Sequence, residues 1–129
     1  MSIKPAVLVA EDEAFIRKMI ASELSEDYDV LVARDGIDAV CTYERNMERV
    51  AAVVTDLEMP RLGGCMVVEW IHHIRPRLPI IVMSGSITNT ELEELLQTRD
   101  VVFLAKPFDM PQLKALLGSV LEKEPRRAA

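Results

Sequence analysis

Acidic residues directly follow two apolar stretches of this chain. Glu11 and Asp12 come after AVLVA, and Asp56 comes after VAAVVT. If these stretches are neighbouring strands, three carboxylates crowd together, and like charges that close cannot all ionise cheaply. A hard divalent cation relieves that conflict, and Mg²⁺ takes carboxylate oxygens while it keeps several water ligands. The pattern therefore predicts a Mg²⁺ site with an open side.

Two further apolar stretches end in groups that could bind a phosphoryl oxygen. Lys106 supplies a mobile positive charge, and Ser84 supplies a hydroxyl. A carboxylate is a known phosphoryl nucleophile, and positioning and charge stabilisation do most of the work in such a transfer. Asp56 is the predicted nucleophile, because it is the lone acid at its strand end, between the cation site and the lysine.

Asp56 also has an ordinary interpretation as a turn residue, since Pro60, Gly63 and Gly64 follow it closely. Taken alone, Asp56 is better explained as a turn residue than as a phosphoacceptor. Complementary chemistry at four strand ends is hard to attribute to turn statistics, and it favours the phosphoacceptor.

The elements that would position these groups alternate along the chain. Short apolar runs rich in β-branched residues are typical of strands buried on both faces, and helical periodicity lies between them. The alternation predicts a (βα)5 domain, an α/β fold with a doubly wound, mainly parallel sheet. The predicted strands are Ala6–Ala10, Val30–Ala33, Val50–Thr55, Ile80–Met83 and Val101–Ala105.

The helices differ in the strength of their signals. The third should end before Pro76, and the fifth should begin with Asp109 as N-cap and Pro111 in its first turn. The fourth is the weakest, and we expect it to move, because an element with so few apolar anchors has low local stability. Its large apolar residues are Leu92, Leu95 and Leu96.

The predicted metal site also constrains the order of the strands. Ligands of parallel sheets bind at the carboxyl edge, where the strand order reverses. If Asp12 and Asp56 share one metal ion, the first and third strands are neighbours, and right-handed crossovers send the second strand to the other side of the first. The predicted order is 2-1-3-4-5.

Composition sets limits on the class of protein. With 129 residues, of which 50% are apolar, we expect one domain over residues 1–129, with a core of about 5–123 and a short tail of 124–129. No apolar run approaches the roughly 20 residues of a membrane span, and residues 1–5 lack a secretory signal. We expect a soluble cytoplasmic protein. A net charge of −6, with one basic pair at Arg126-Arg127, argues against direct nucleic-acid binding.

Other reactive side chains have structural explanations. Cys41 and Cys65 fall in predicted helices without metal-ligand spacing, so we expect reduced thiols. His72 and His73 are adjacent on the third helix and point in different directions, which favours surface side chains over a metal pair.

Four motifs carry a resemblance to the response regulator receiver domain, the phosphoacceptor domain of two-component signalling. The resemblance covers about residues 5 to 123 and implies a flavodoxin-like three-layer sandwich with a phosphorelay function. The motifs are VLVAEDE, VVTDLEMPRLGG, IIVMSGS and VVFLAKPF.

The resemblance implies a role for each acid of the site. Asp56 would be phosphorylated, Asp12 would bind Mg²⁺ directly, and Glu11 would bind it through water. The backbone carbonyl of Glu58 would complete the protein ligands, while its side chain projects a further acid near the phosphoryl group.

It also implies a switch. Ser84 would bond a phosphoryl oxygen, Lys106 would pair with it, and Phe103 stands at the position of the family's switch aromatic. The Lys106–Pro107 peptide is expected to be cis, as it often is in this family.

The implied phosphodonor is a histidine kinase or a histidine phosphotransfer protein. A downstream protein would bind a surface around the fourth helix, fifth strand and fifth helix. Whether the same face forms a phosphorylation-dependent dimer is left undecided by the sequence. The domain would not be an enzyme beyond self-phosphorylation and self-dephosphorylation. The alternative is a Mg²⁺-dependent phosphohydrolase with an aspartyl nucleophile, whose nucleophile usually follows the first strand rather than the third.

Overall fold

A computed structural model of the chain describes residues 3–85, 90–97 and 100–123. These residues form five strands that alternate with five helices. The strands are β1 (Ala6–Ala10), β2 (Asp29–Ala33), β3 (Val50–Asp56), β4 (Ile80–Ser84) and β5 (Val101–Ala105). The helices are α1 (Ala14–Leu24), α2 (Gly36–Asn46), α3 (Gly64–Ile74), α4 (Thr90–Leu96) and α5 (Met110–Lys123).

The strand predictions are confirmed to within one residue at each end. β2 begins one residue earlier than predicted, and β3 and β4 each end one residue later. Asp56 and Ser84 are therefore the last residues of their strands, so the sheet itself holds their backbones.

All five strands are parallel, and their order is β2-β1-β3-β4-β5. The predicted fold and strand order are both confirmed. Ala10 of β1 pairs with Thr55 of β3, which brings the residues that follow β1 level with the end of β3. The strand order reverses between these two strands, as the metal-site argument required.

Two apolar clusters cover the two faces of the sheet. Alternate residues of β1 enter different clusters, because successive side chains of a strand point to opposite faces. The first cluster joins the sheet to α2, α3 and α4, and includes Leu8, Tyr43, Val67, Ile71 and Leu95. The second joins it to α1 and α5, and includes Val9, Ile20, Leu24, Leu113 and Leu117.

Helix ends follow local chemistry. The N–H of Gln112 donates to Oδ1 of Asp109 at 2.9 Å, and the N–H of Asp109 donates to Oε1 of Gln112 at 2.9 Å. This reciprocal pair is a capping box, so the predicted N-cap of α5 is confirmed. The N-cap of α1 is Glu13, which leaves Asp12 outside the helix.

Two predictions about single residues have mixed outcomes. Cys41 and Cys65 are both reduced thiols, as expected. His73 is exposed, but His72 is half-buried, and its Nε2 lies 2.9 Å from the carbonyl oxygen of Leu78. The prediction of two surface histidines is therefore wrong for His72, because the chain after α3 folds back over it.

Some predictions fall beyond the described residues. These are the basic pair Arg126-Arg127, the tail 124–129 and the side chain of Leu92. The movement of α4 stays a prediction. Within the ranges described, no helix combines the length and the apolar character that crossing a membrane requires.

Candidate functional site

Three carboxylates meet at the carboxyl edge of the sheet. Glu11, Asp12 and Asp56 each offer an oxygen atom, and these atoms lie within 4.8 Å of one another. Glu11 and Asp56 are 1% and 4% exposed, whereas Asp12 is exposed to solvent. The pairing of β1 with β3 brings them together, as the sequence predicted.

Lys106 links this cluster to β5. Its Nζ donates to Oε1 of Glu11 at 3.0 Å and to Oδ2 of Asp56 at 2.9 Å, so its side chain crosses β4 to reach β3 and β1. The backbone N–H of Lys106 donates to the carbonyl of Ser84 at 2.9 Å, and the Lys106–Pro107 peptide is cis, as the resemblance implied.

Burial and charge shift the protonation of this cluster. Burial is the main cause that raises the pKa of Glu11 to about 7, and hydrogen bonds from Lys106 and from the N–H of Glu13 act against it. Burial would lower the pKa of Lys106, but its hydrogen bonds to Asp56 and Glu11 raise that pKa overall. Lys106 therefore stays charged at neutral pH and offsets part of the buried negative charge.

The two oxygens of Asp56 have different partners. Oδ2 accepts from Lys106, and Oδ1 accepts from the backbone N–H of Glu58 at 3.1 Å. The carboxylate is therefore held by a donor on each side, in the fixed orientation that a nucleophile needs.

The side chain of Glu58 contacts the other phosphoryl-binding candidate. The Ser84 hydroxyl donates to Oε1 of Glu58 at 3.3 Å. The sequence placed both residues near the site but did not indicate this contact. An acid two residues after Asp56, facing a strand-end hydroxyl, is the signal that could have revealed it.

Phe103 lies in the middle of β5. It is half-buried and packs against the cluster of α2, α3 and α4. Its aromatic ring is therefore part of the packing that joins β5 to that face of the sheet.

The loop between β3 and α3 approaches its neighbours too closely for side chains at two positions. A Cβ atom on Gly64 would lie 2.2 Å from the carbonyl oxygen of Asp56. A Cβ atom on Gly36, at the start of α2, would lie 1.9 Å from the carbonyl oxygen of Leu62. Glycine at both positions lets the loop pack between β3 and α2.

The donor set fits Mg²⁺. Glu11, Asp12 and Asp56 supply the hard carboxylate oxygens that this ion prefers. The single ammonium of Lys106 does not balance the cluster even when Glu11 is partly protonated, so these carboxylates favour a further cation. The exposed side of Asp12 gives an ion access from solvent.

Relatives of the chain are signalling proteins and transcription factors. Response regulator MprA from Mycobacterium sp. (strain KMS) is 31% identical over 91% of this chain. Transcription factor SKN7 from Chaetomium thermophilum is 32% identical over 98% of it. The alignments cover 50% and 17% of those proteins, so the chain spans at most half the length of either.

Solved structures share the fold. The receiver domain of sensor histidine kinase PA1611 from Pseudomonas aeruginosa PAO1 matches with a TM-score of 0.81 and 28% identity, over 94% of this chain and 100% of that one. That structure has a magnesium ion coordinated in its active-site cleft.

These comparisons give no support to the alternative of an aspartyl phosphohydrolase. The profile of the response regulator receiver domain matches residues 7–118. Because that match covers most of the chain, and the sheet has the strand order predicted from the sequence, the chain belongs to the response regulator receiver domain family of two-component signalling.

Proposed function

We propose that Asp56 accepts a phosphoryl group from a phosphohistidine of a histidine kinase or a histidine phosphotransfer protein. The observation that carries this proposal is the contact of Lys106 Nζ with Asp56 Oδ2 at 2.9 Å, inside a cluster of three carboxylates. A nucleophile, a cation site and a fixed positive charge are the parts that phosphoryl transfer requires.

The chemistry is an in-line displacement. A carboxylate oxygen of Asp56 forms a bond to phosphorus, and the phosphorus–nitrogen bond of the donor breaks, which leaves a histidine on the donor. Lys106 already lies beside the carboxylate and pairs with an oxygen of the transferred group. Asp12, Asp56 and the Glu58 carbonyl would hold Mg²⁺ directly and Glu11 would hold it through water, and the ion would supply charge stabilisation for the phosphoryl oxygens.

The switch begins from the contact between Ser84 and Glu58. In the structure the Ser84 hydroxyl donates to the Glu58 carboxylate, and on phosphorylation it donates to a phosphoryl oxygen instead. Phe103 then turns inward, and the surface of α4, β5 and α5 repacks. The energy for this population shift comes from the new charge-assisted hydrogen bonds.

The remaining features of the function follow from this role. The chain acts in the cytoplasm as a single receiver domain, not as an enzyme beyond self-phosphorylation and self-dephosphorylation. A downstream protein, rather than nucleic acid or a membrane, binds the switched surface, and a phosphorylation-dependent dimer through the same face is the change in assembly to be tested. Light scattering with and without beryllofluoride and Mg²⁺ measures that change in assembly.

Labelling with acetyl phosphate tests the acceptor. With Mg²⁺, the wild-type chain should gain one phosphoryl group by mass spectrometry, and Asp56→Asn should gain none. Asp27→Asn, which changes an exposed aspartate outside the site, should label as the wild type does. Equal labelling of Asp56→Asn and wild type would show that Asp56 is not the acceptor, and catalytic turnover of phosphate esters would support the phosphohydrolase.

A further inference from the structure

The guanidinium of Arg17 binds the turn that carries two of the three clustered acids. Its Nη1 donates to the carbonyl oxygen of Glu11 at 2.9 Å and to that of Asp12 at 3.2 Å. Arg17 is half-buried and lies in α1, which begins at Ala14, so its side chain reaches back across the first turn of the helix. One side chain therefore closes the turn between β1 and α1.

The two carbonyls belong to the peptide planes on either side of the Asp12 α-carbon. Since a peptide unit is planar, holding both planes restricts φ and ψ of Asp12 and with them the direction of its Cα–Cβ bond. Glu11 and Asp56 are held in another way, because both are buried and bonded to Lys106.

Asp12 has neither of these supports. It is exposed, and among the residues that the structure describes, none donates a hydrogen bond to its carboxylate. Its place in the cluster of acids depends on its backbone, and Arg17 holds that backbone.

We propose that Arg17 is a positioning residue of the metal site, which keeps Asp12 oriented to bind Mg²⁺ without touching the ion. The proposal rests on the proposed function, because it takes Asp12 as a Mg²⁺ ligand. Without Arg17, the turn must be ordered when the ion binds, and that ordering reduces affinity.

The charge of Arg17 acts in the opposite direction. A positive charge near a cluster of carboxylates opposes the binding of another cation. If Arg17 acted only through its charge, its removal would tighten Mg²⁺ binding. If it acts by positioning Asp12, its removal weakens that binding, so the sign of the change separates the two roles.

Calorimetric titration with MgCl₂ tests the proposal. Arg17→Ala should weaken Mg²⁺ binding by about tenfold or more, as removal of groups that orient metal ligands usually does. Lys18→Ala is the matched control, because it removes one positive charge from an exposed neighbour on the same helix, and it should leave Mg²⁺ affinity unchanged or slightly higher. Arg17→Lys keeps the charge and one donor and should fall between wild type and Arg17→Ala.

A second measurement separates positioning from damage to the fold. At saturating Mg²⁺, acetyl phosphate should label Arg17→Ala at the wild-type rate, since only the affinity for the ion has changed. Persistently slow labelling of a folded Arg17→Ala chain would contradict the proposal. If Arg17→Ala does not fold, Arg17→Lys decides, and Mg²⁺ affinity equal to that of the wild type would overturn it.

The outcomes distinguish this proposal from the one on which it rests. Wild-type chain that binds no Mg²⁺, or Asp12→Asn that binds it as tightly as wild type, would contradict the metal site and the role of Arg17 together. Wild type that binds Mg²⁺, with Arg17→Ala binding equally or more tightly, would contradict the role of Arg17 alone.

Discussion

Arg61 Nη2 lies 2.9 Å from Oδ2 of Asp35 and 3.1 Å from Oδ1, so the loop between β3 and α3 is bound to the N-cap of α2. Arg61 has a φ of 69°, and no other non-glycine residue in the described ranges has a positive φ. Such a backbone costs about 1–2 kcal/mol in a residue with a Cβ atom. The ion pair helps to hold this conformation, and the same loop carries Glu58 to the acceptor.

Removal of Arg61 should raise the pKa of Asp35. The N–H of Asp38 first, and then Arg61, hold the pKa of Asp35 below its ordinary value. A carboxyl group with a lowered pKa stabilises the native state above its unfolded pKa, and that contribution disappears as the pH falls through the folded pKa. In Arg61→Gly, which suits the positive φ, this contribution should be smaller, and its loss on acidification should be complete at a higher pH.

Carboxyl NMR titration checks this prediction. The pKa of Asp35 should rise in Arg61→Gly but stay below its ordinary value, because the N–H of Asp38 still donates. Arg49→Gly, which breaks the exposed ion pair with Asp29, should leave the pKa of Asp35 unchanged. An unchanged pKa in Arg61→Gly would mean that the ion pair does not form in solution.

Alanine at two glycines should have opposite effects on stability. Gly36→Ala should lower the free energy of unfolding by about 1–3 kcal/mol, because its Cβ would overlap the carbonyl oxygen of Leu62. Gly118 lies inside α5, where a Cβ meets no heavy atom of the described residues within 4 Å. Gly118→Ala should therefore raise the free energy of unfolding by about 0.5–1 kcal/mol. Urea denaturation measures both free energies of unfolding. An unchanged free energy of unfolding in Gly36→Ala would contradict the close approach of the loop.

Glu58→Gln should speed the phosphorylation of Asp56. Glu58 places a carboxylate beside Ser84, where the anionic phosphoryl group would enter. The charge of Glu58 should repel the incoming phosphoryl group by about 1 kcal/mol or more, so its removal should raise the rate of labelling by acetyl phosphate several-fold. Glu69→Gln, an exposed position on α3, should label at the wild-type rate. A rate for Glu58→Gln at or below that of wild type would show that the carboxylate does not repel the donor.

Tyr43→Phe should stabilise the fold. The hydroxyl of Tyr43 is buried and finds no hydrogen-bond partner in the part of the chain that the structure describes. A buried donor without a partner costs about 1–3 kcal/mol, so its removal should raise the free energy of unfolding by about 1 kcal/mol. Tyr28→Phe, at a half-buried position, should not raise the free energy of unfolding. Destabilisation of Tyr43→Phe would instead mean that a water molecule bonds the hydroxyl.

The sheet and the cluster of acids were predictable for one physical reason. Strands buried on both faces are marked by continuous apolar runs, and in a parallel sheet their carboxyl ends meet at one edge. The sequence pattern alone therefore predicts that residues at those ends, such as Asp56 and Lys106, lie close together. The strand order followed once Asp12 and Asp56 were assumed to share a metal ion.

Contacts that depend on loop paths were not predictable. Arg61 and Asp35 are 26 residues apart in sequence, and no local pattern couples them. The reach of Arg17 back to two carbonyls depends on where α1 begins, and the bond from Ser84 to Glu58 depends on the path of the loop after β3. Periodicity locates elements, whereas these contacts are set by backbone geometry between them.

Trp70 is the only tryptophan of the chain, and its ring meets Tyr43 edge to face, with ring centroids 6.0 Å apart. Both rings lie on the face of the sheet covered by α2 and α3. Tryptophan emission of this protein is therefore a local reporter of that face. Rearrangements confined to α1 and α5 lie next to Tyr28 rather than Trp70, so following them by tryptophan emission requires a second indole placed on that side.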